Sequence, residues 1–137
     1  MILVDSTVWI DGLRGINTPQ VAFLQANIEQ VQIVIGDLVL TEVLQGVPTE
    51  ALARQTEKDL LKFTVVELGG EKNAIQAARH FRHLRAKGYT IRKSVDLLIA
   101  AWCIANSFAL LHNGRDFDPF EKYLGLRTVN GHGVSHP

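Results

Sequence analysis

Four acidic residues far apart in the sequence, Asp5, Glu42, Asp96 and Asp116, sit where a single fold could gather them. Asp5 follows the apolar run Ile2-Leu3-Val4, and Asp116 follows Phe108-Ala109-Leu110-Leu111 by one short loop. Asp96 opens an apolar helix, and Glu42 comes about one helical turn after the run Val31 to Ile35. Carboxylates held together in a partly buried pocket repel one another and are pushed toward neutrality. A bound divalent cation reverses that, because its charge dominates the local field. Oxygen-only donors favour a hard ion, Mg²⁺ or Mn²⁺, over zinc. Such an ion activates water and neutralises charge building on a phosphodiester.

The elements that would position these acids read as follows. Ten of the eleven residues from 95 to 105 are apolar, the exception being Asp96. A helix that is apolar almost all round must be buried, and this one falls well short of the roughly 20 residues that span a bilayer. Ser94 reads as its N-cap, which puts Asp96 in the first turn, where the helix dipole favours negative charge. A carboxylate there serves either to start the helix or as a catalytic group. Elsewhere, strand-like runs at 2–4, 31–35, 63–68, 108–111 and 126–129 alternate with helices over 8–15, from Thr18-Pro19, over 38–45, 48–62, 71–87 and 119–124. The 71–87 helix is expected to bury Ala74, Ile75, Ala78, Phe81 and Leu84. Apolar strands alternating with helices predict an α/β fold: three layers, α/β/α, around a mostly parallel sheet of four to five strands. Ligands of such sheets bind beyond the carboxyl ends of the strands, the edge on which all four acids can converge.

With 137 residues, 47% of them hydrophobic, and a formal net charge of zero, the chain reads as one globular domain over 1–130. It is not globally basic. The remaining 131–137 reads as a loose tail, whose His132 and His136 are not expected to bind metal. The lone Cys103 reads as a small core residue. The chain opens on a strand-like run without a basic leader, and a cytoplasmic location is expected.

The segments Asp5-Ser6-Thr7-Val8-Trp9-Ile10, Thr41-Glu42-Val43-Leu44-Gln45-Gly46, Ser94-Val95-Asp96-Leu97-Leu98-Ile99-Ala100-Ala101 and His112 to Phe117 resemble, in order and spacing, the four signatures of PIN-domain ribonucleases. Within that family the chain is most similar to VapC toxins of bacterial type II toxin–antitoxin pairs. The resemblance implies that Asp5 and Asp96 are the principal Mg²⁺ ligands, Mn²⁺ being a possible substitute, with Glu42 and Asp116 completing the site. It implies hydrolysis of RNA by an activated water that attacks phosphorus in line, leaving a 5′-phosphate and a 3′-hydroxyl. It also implies a small cognate antitoxin, a homodimer, and promoter DNA reached only through the antitoxin; no membrane is involved. Apolar residues of the early helices, Trp9, Ile10, Leu13, Phe23 and Leu24, are expected to supply part of a dimer surface.

One departure stands out. Many relatives carry another acid or an asparagine where this chain has Gly114, leaving Asp116 as the matching acid and Asp118 as a possible substitute. On this reading Gly114→Asp raises metal affinity. Between Arg79 and Lys93 the chain holds six Lys/Arg and no acid, either a solvated helix face or a phosphate-binding surface. Arg92 and Lys93 are the better candidates for RNA contact, since they directly precede the Asp96 helix. His112 is either a substrate contact or a histidine held at a strand end. Ser6 and Thr7 either orient Asp5 or a water, or cap a helix. Two other readings remain open: an inactive PIN-fold binding or regulatory module, and a Mg²⁺-dependent phosphatase or phospho-receiver. The phosphatase lacks its Asp-x-Asp, because Thr7 stands at the second position. The receiver lacks paired acids and a late lysine.

Overall fold

In the computed structural model, residues 1–129 are described; the expected tail at 131–137, with His132 and His136, lies outside them. The elements run β1 (Ile2–Val4), α1 (Ser6–Leu13), α2 (Pro19–Asn27), β2 (Ile33–Gly36), α3 (Asp37–Gln45), α4 (Glu50–Leu60), β3 (Thr64–Val66), α5 (Glu71–Ala86), α6 (Ser94–Asn106), β4 (Ala109–Leu111), α7 (Asp118–Leu124) and β5 (Thr128–Val129). The expected helix starts at Thr18 and Thr49 are present: their hydroxyls accept from the Val21 and Leu52 amides at 3.1 and 3.2 Å.

The five strands form one sheet in the order β3-β2-β1-β4-β5, and every pair is parallel. From β1 the chain steps one way through β2 to β3, and later the other way through β4 to β5. Right-handed crossovers therefore put α1 to α4 on one face and α5 to α7 on the other. The packing agrees: α1 contacts α2 and α3, whereas α5 contacts α6 and α7. The strand order reverses between β1 and β4, and a crevice opens there beyond their carboxyl ends. β1, β2 and β4 are buried along their whole length, while β3 is an exposed edge.

Helix α6 is buried along Leu97, Ile99, Ala100, Ala101 and Cys103, with Trp102 half-buried edge-on to Phe108 at 4.7 Å. Each fully buried Leu, Ile or Val stabilises the fold by about 1.5–3 kcal/mol, so this helix is anchored firmly enough to hold Asp96 in place. Its N-cap position is occupied by Lys93, without a side-chain cap bond, and Ser94 is the first helical residue. That corrects the expected cap by one residue; the chain arrives extended and Lys93 turns its ammonium toward Asp116 instead.

Helix α5 is rotated from expectation. Ala77 and Leu84 are buried, Phe81 is half-buried, and Ala74, Ile75 and Ala78 face outward. The cause is Asn73, whose amide donates to the Leu68 and Leu98 carbonyls at 2.8 and 2.9 Å and so ties α5 to α6. Of the surface expected to pair two copies, Trp9 and Leu24 belong to the core, and Leu13 is exposed on the wall of a groove between α1 and α4. Among the described residues no helix is long and apolar enough to cross a membrane.

Candidate active site

Asp5 leaves β1 and serves as the N-cap residue of α1, its backbone amide bonded to the Leu111 carbonyl of β4 at 2.9 Å. The bond fixes it at the point where strand order reverses. Its carboxylate makes no capping hydrogen bond; Oδ2 accepts from the Thr7 hydroxyl at 2.9 Å. The residue is 6% exposed. Burial raises its pKa, opposed first by the Thr7 hydroxyl and then by the Ser6 amide, His112 and the Thr7 amide.

Glu42 projects from the middle of α3, which begins at once after β2. Gly36, at the junction, leaves room for the fully buried Leu68, with which a Cβ there would collide. The Glu42 pKa is raised by burial and then by Asp5, and lowered by Lys93 and a hydrogen bond from Ser6. Asp96, in the first turn of α6, rises from 3.8 to about 6 through burial, then Asp5, with further repulsion from Asp116 and Glu42 and relief from Lys93. Asp116 lies on the β4–α7 loop, exposed, with Lys93 Nζ 4.0 Å from its Oδ2.

All four acids line one pocket of about 310 Å³, together with Ser6, Thr7, Lys93, Ser94, Val95, Asn113 and Phe117. Lys93 is the one cation among those residues, and it draws down two of the three acids whose pKa is raised. A second cavity of about 300 Å³ shares Lys93, Asp96 and Asp116 and adds Thr90, Ile91 and Arg92. Ser6 and Thr7 act on Glu42 and Asp5 respectively, so neither hydroxyl is a plain helix cap. Asn113 and Phe117 escaped the sequence reading, although both lie inside the segment that carries the fourth signature.

The structure sets two of these candidates apart from the pocket. His112 is 8% exposed, sits edge-on to Phe117 at 5.1 Å and does not line the pocket. Its pKa is lowered by burial, with Asp5 opposing; of its two readings, the histidine held at a strand end is the one this packing fits. Asp118 begins α7 and is likewise absent from the pocket lining.

Gly114 adopts φ +112°, a backbone conformation L side chains rarely take, although a Cβ there would meet nothing within 4 Å. An aspartate at this position would have the space but not the backbone. Gly114→Asp is therefore expected to lower stability by about 1–2 kcal/mol without raising metal affinity. Urea unfolding and a metal titration of the variant check both halves.

A family model described as PIN domain matches residues 2–123. The chain belongs to the PIN-domain family. Membership sets aside the phosphatase and receiver readings. This PIN domain is 24% identical over 134 residues to a VapC ribonuclease of Mycobacterium bovis, covering 95% of this chain and 98% of the relative. It has the same identity and coverage with Ribonuclease VapC11 of Mycobacterium tuberculosis. Among solved structures, VapBC2 from Rickettsia felis bound to a DNA fragment from their promoter superposes with a TM-score of 0.74 at 22% identity, over 95% of this chain and 98% of that one. FitAcB from Neisseria gonorrhoeae gives 0.77 at 18%, over 96% and 99%. These likenesses establish the PIN fold over nearly the whole chain.

The donor chemistry fits a hard divalent cation. Among the described residues no three His, Cys, Asp or Glu side chains are clustered tightly enough to hold a metal as a ready-made cage.

Proposed function

We propose that this PIN domain is a divalent-metal-dependent endoribonuclease, the toxin of a toxin–antitoxin pair. The observation that carries the reading is one pocket lined by Asp5, Glu42, Asp96 and Asp116, with Asp96 pushed up to about 6 largely by burial and its acidic neighbours. The names of similar proteins, VapC ribonucleases and a toxin–antitoxin complex from Klebsiella pneumoniae, support it. A bound Mg²⁺, or Mn²⁺ in its place, would neutralise charge on the scissile phosphodiester and make water nucleophilic at neutral pH. Asp5 and Asp96 would hold it, with Glu42 and Asp116 completing the shell.

The chain's own groups do the rest. The Thr7 hydroxyl orients Asp5, and Ser6 orients Glu42. Lys93 and Arg92, at the rim, meet the RNA backbone. In the free protein Lys93 is the counter-ion of the acids; bound RNA phosphate takes their place beside it. The partners on this reading are a small antitoxin that blocks the pocket and a second copy of the chain, with promoter DNA reached through the antitoxin. A cytoplasmic location follows from an RNA substrate.

Gly114, standing where many relatives carry an acid or an asparagine, motivates a second reading, a PIN-fold module that binds RNA without cutting it. One experiment separates the two. Single-stranded RNA incubated with the protein and Mg²⁺ is expected to yield 5′-phosphate and 3′-hydroxyl ends, and EDTA to stop the cleavage. Cyclic-phosphate ends, or bound but intact RNA, would refute the hydrolytic reading.

A further inference from the structure

Between α5 and α6 the chain from Lys87 to Lys93 forms no helix or strand and climbs back toward the acidic pocket. At its far end Tyr89 meets Tyr123 of α7, with ring centroids 5.5 Å apart and hydroxyls at 3.5 Å. Two ammonium groups flank the same Tyr123 ring: Lys87 Nζ lies 5.1 Å from its centroid and Lys122 Nζ 5.2 Å. Neither has a carboxylate within ion-pair distance among the described residues. The Tyr123 pKa is lowered first by its hydrogen bond with Tyr89 and then by Lys122. Both lysines are exposed, gathered on one ring and without a carboxylate counter-ion among the described residues.

An anion seated between the two ammonium groups would give both a counter-ion. The opposite end of the strap points to which anion. Arg92 and Lys93 line the cavity shared with Asp96 and Asp116, and from Tyr89 to Lys93 the backbone spans at most roughly 14 Å. From residue 72 to 95 the chain carries seven Lys/Arg and no acid. We propose that Lys87 and Lys122, positioned on Tyr123, bind a backbone phosphate of the RNA strand a few nucleotides from the acidic pocket. The 87–93 strap carries the strand between the two points. This rests on the ribonuclease reading and adds a site to it.

The test compares wild type, Lys87→Ala/Lys122→Ala and, as a control, Lys58→Ala/Lys62→Ala, which removes the same charge near α4. The Mg²⁺-loaded proteins are assayed on a long single-stranded oligoribonucleotide and on a trinucleotide. One lost single-strand phosphate contact should lower the slope of log affinity against log salt by about 0.7, a rise in KM of roughly fivefold at about 0.1 M salt. The kcat on the long RNA and both constants on the trinucleotide stay unchanged, and the control behaves as wild type. Unchanged KM and slope in the Lys87/Lys122 variant overturn the proposal and leave the ribonuclease reading standing. So does an equal loss in the control, or inorganic phosphate binding at these lysines with no change in long-RNA KM. A wild-type protein that neither binds nor cuts RNA overturns the ribonuclease reading together with this site.

Discussion

Asp96→Asn is expected to lower RNA cleavage by about a hundred- to a thousandfold, the order lost when a group that stabilises transition-state charge is removed, while making the metal-free protein more stable. The opposite signs come from one cause. Asp96 is half-buried among like charges, and its pKa rises from 3.8 to about 6. A carboxyl whose folded pKa lies above its unfolded value favours folding when protonated. Its contribution is intact below about pH 4 and is lost as pH rises through about 6. At pH 7.5 the charged form therefore burdens the fold. A rise of that size is worth about 3 kcal/mol for a fully buried group, and solvent screening of this half-exposed one reduces that to about 1–2 kcal/mol.

The neutral amide should recover most of that, a rise in Tm of roughly 3–8 °C in EDTA at pH 7.5. Below about pH 4 the gap to wild type closes. The competing role, a helix-start carboxylate worth about 0.3–1 kcal/mol, has the opposite sign and is the smaller effect. A variant that melts below wild type in EDTA would show that Asp96 serves the helix first. Thermal melts at the two pH values, with an RNA cleavage assay in Mg²⁺, measure both effects.

How much of this was legible in the sequence depended on which force decided each feature. The sheet was readable, because apolar runs such as Ile2 to Val4 have no other way to be satisfied than burial. Strand ends then placed Asp5 and Asp116 on one edge by topology alone. The acids could be brought to one rim on paper, but their electrostatics could not, because desolvation depends on neighbours far away in sequence. The rotation of α5 was hidden because it is decided by a polar residue: Asn73 satisfies two carbonyls and pulls its own face inward. For His112 the sequence left two roles open, and only the packing against Phe117 shows it held at the strand end. Gly114 read as a missing ligand, whereas its φ of +112° makes it a requirement of the loop. The Lys87–Tyr123–Lys122 cluster joins residues 36 positions apart, and no local pattern announces it.

The largest effect on stability should come from the ion itself. With Mg²⁺ or Mn²⁺ a hundredfold above its Kd, binding to the folded state adds about 2.7 kcal/mol, a rise in Tm of roughly 10 °C for a chain of this size. The relief of repulsion among Asp5, Glu42 and Asp96 is part of that gain. Since all three pKa values are raised, protons compete with the ion at mildly acidic pH. At pH 5 Asp96 is largely protonated, and the same ion concentration should stabilise far less.

The claim that these distant carboxylates act on one ion is tested most directly by thermal melts of wild type, Asp5→Asn and Asp96→Asn with and without Mn²⁺, at pH 7.5 and 5. The arrangement predicts a large Mn²⁺-dependent rise in wild type at pH 7.5, its collapse at pH 5, and its loss in both variants. A rise of equal size in wild type and both variants, or none in wild type at pH 7.5, would contradict it.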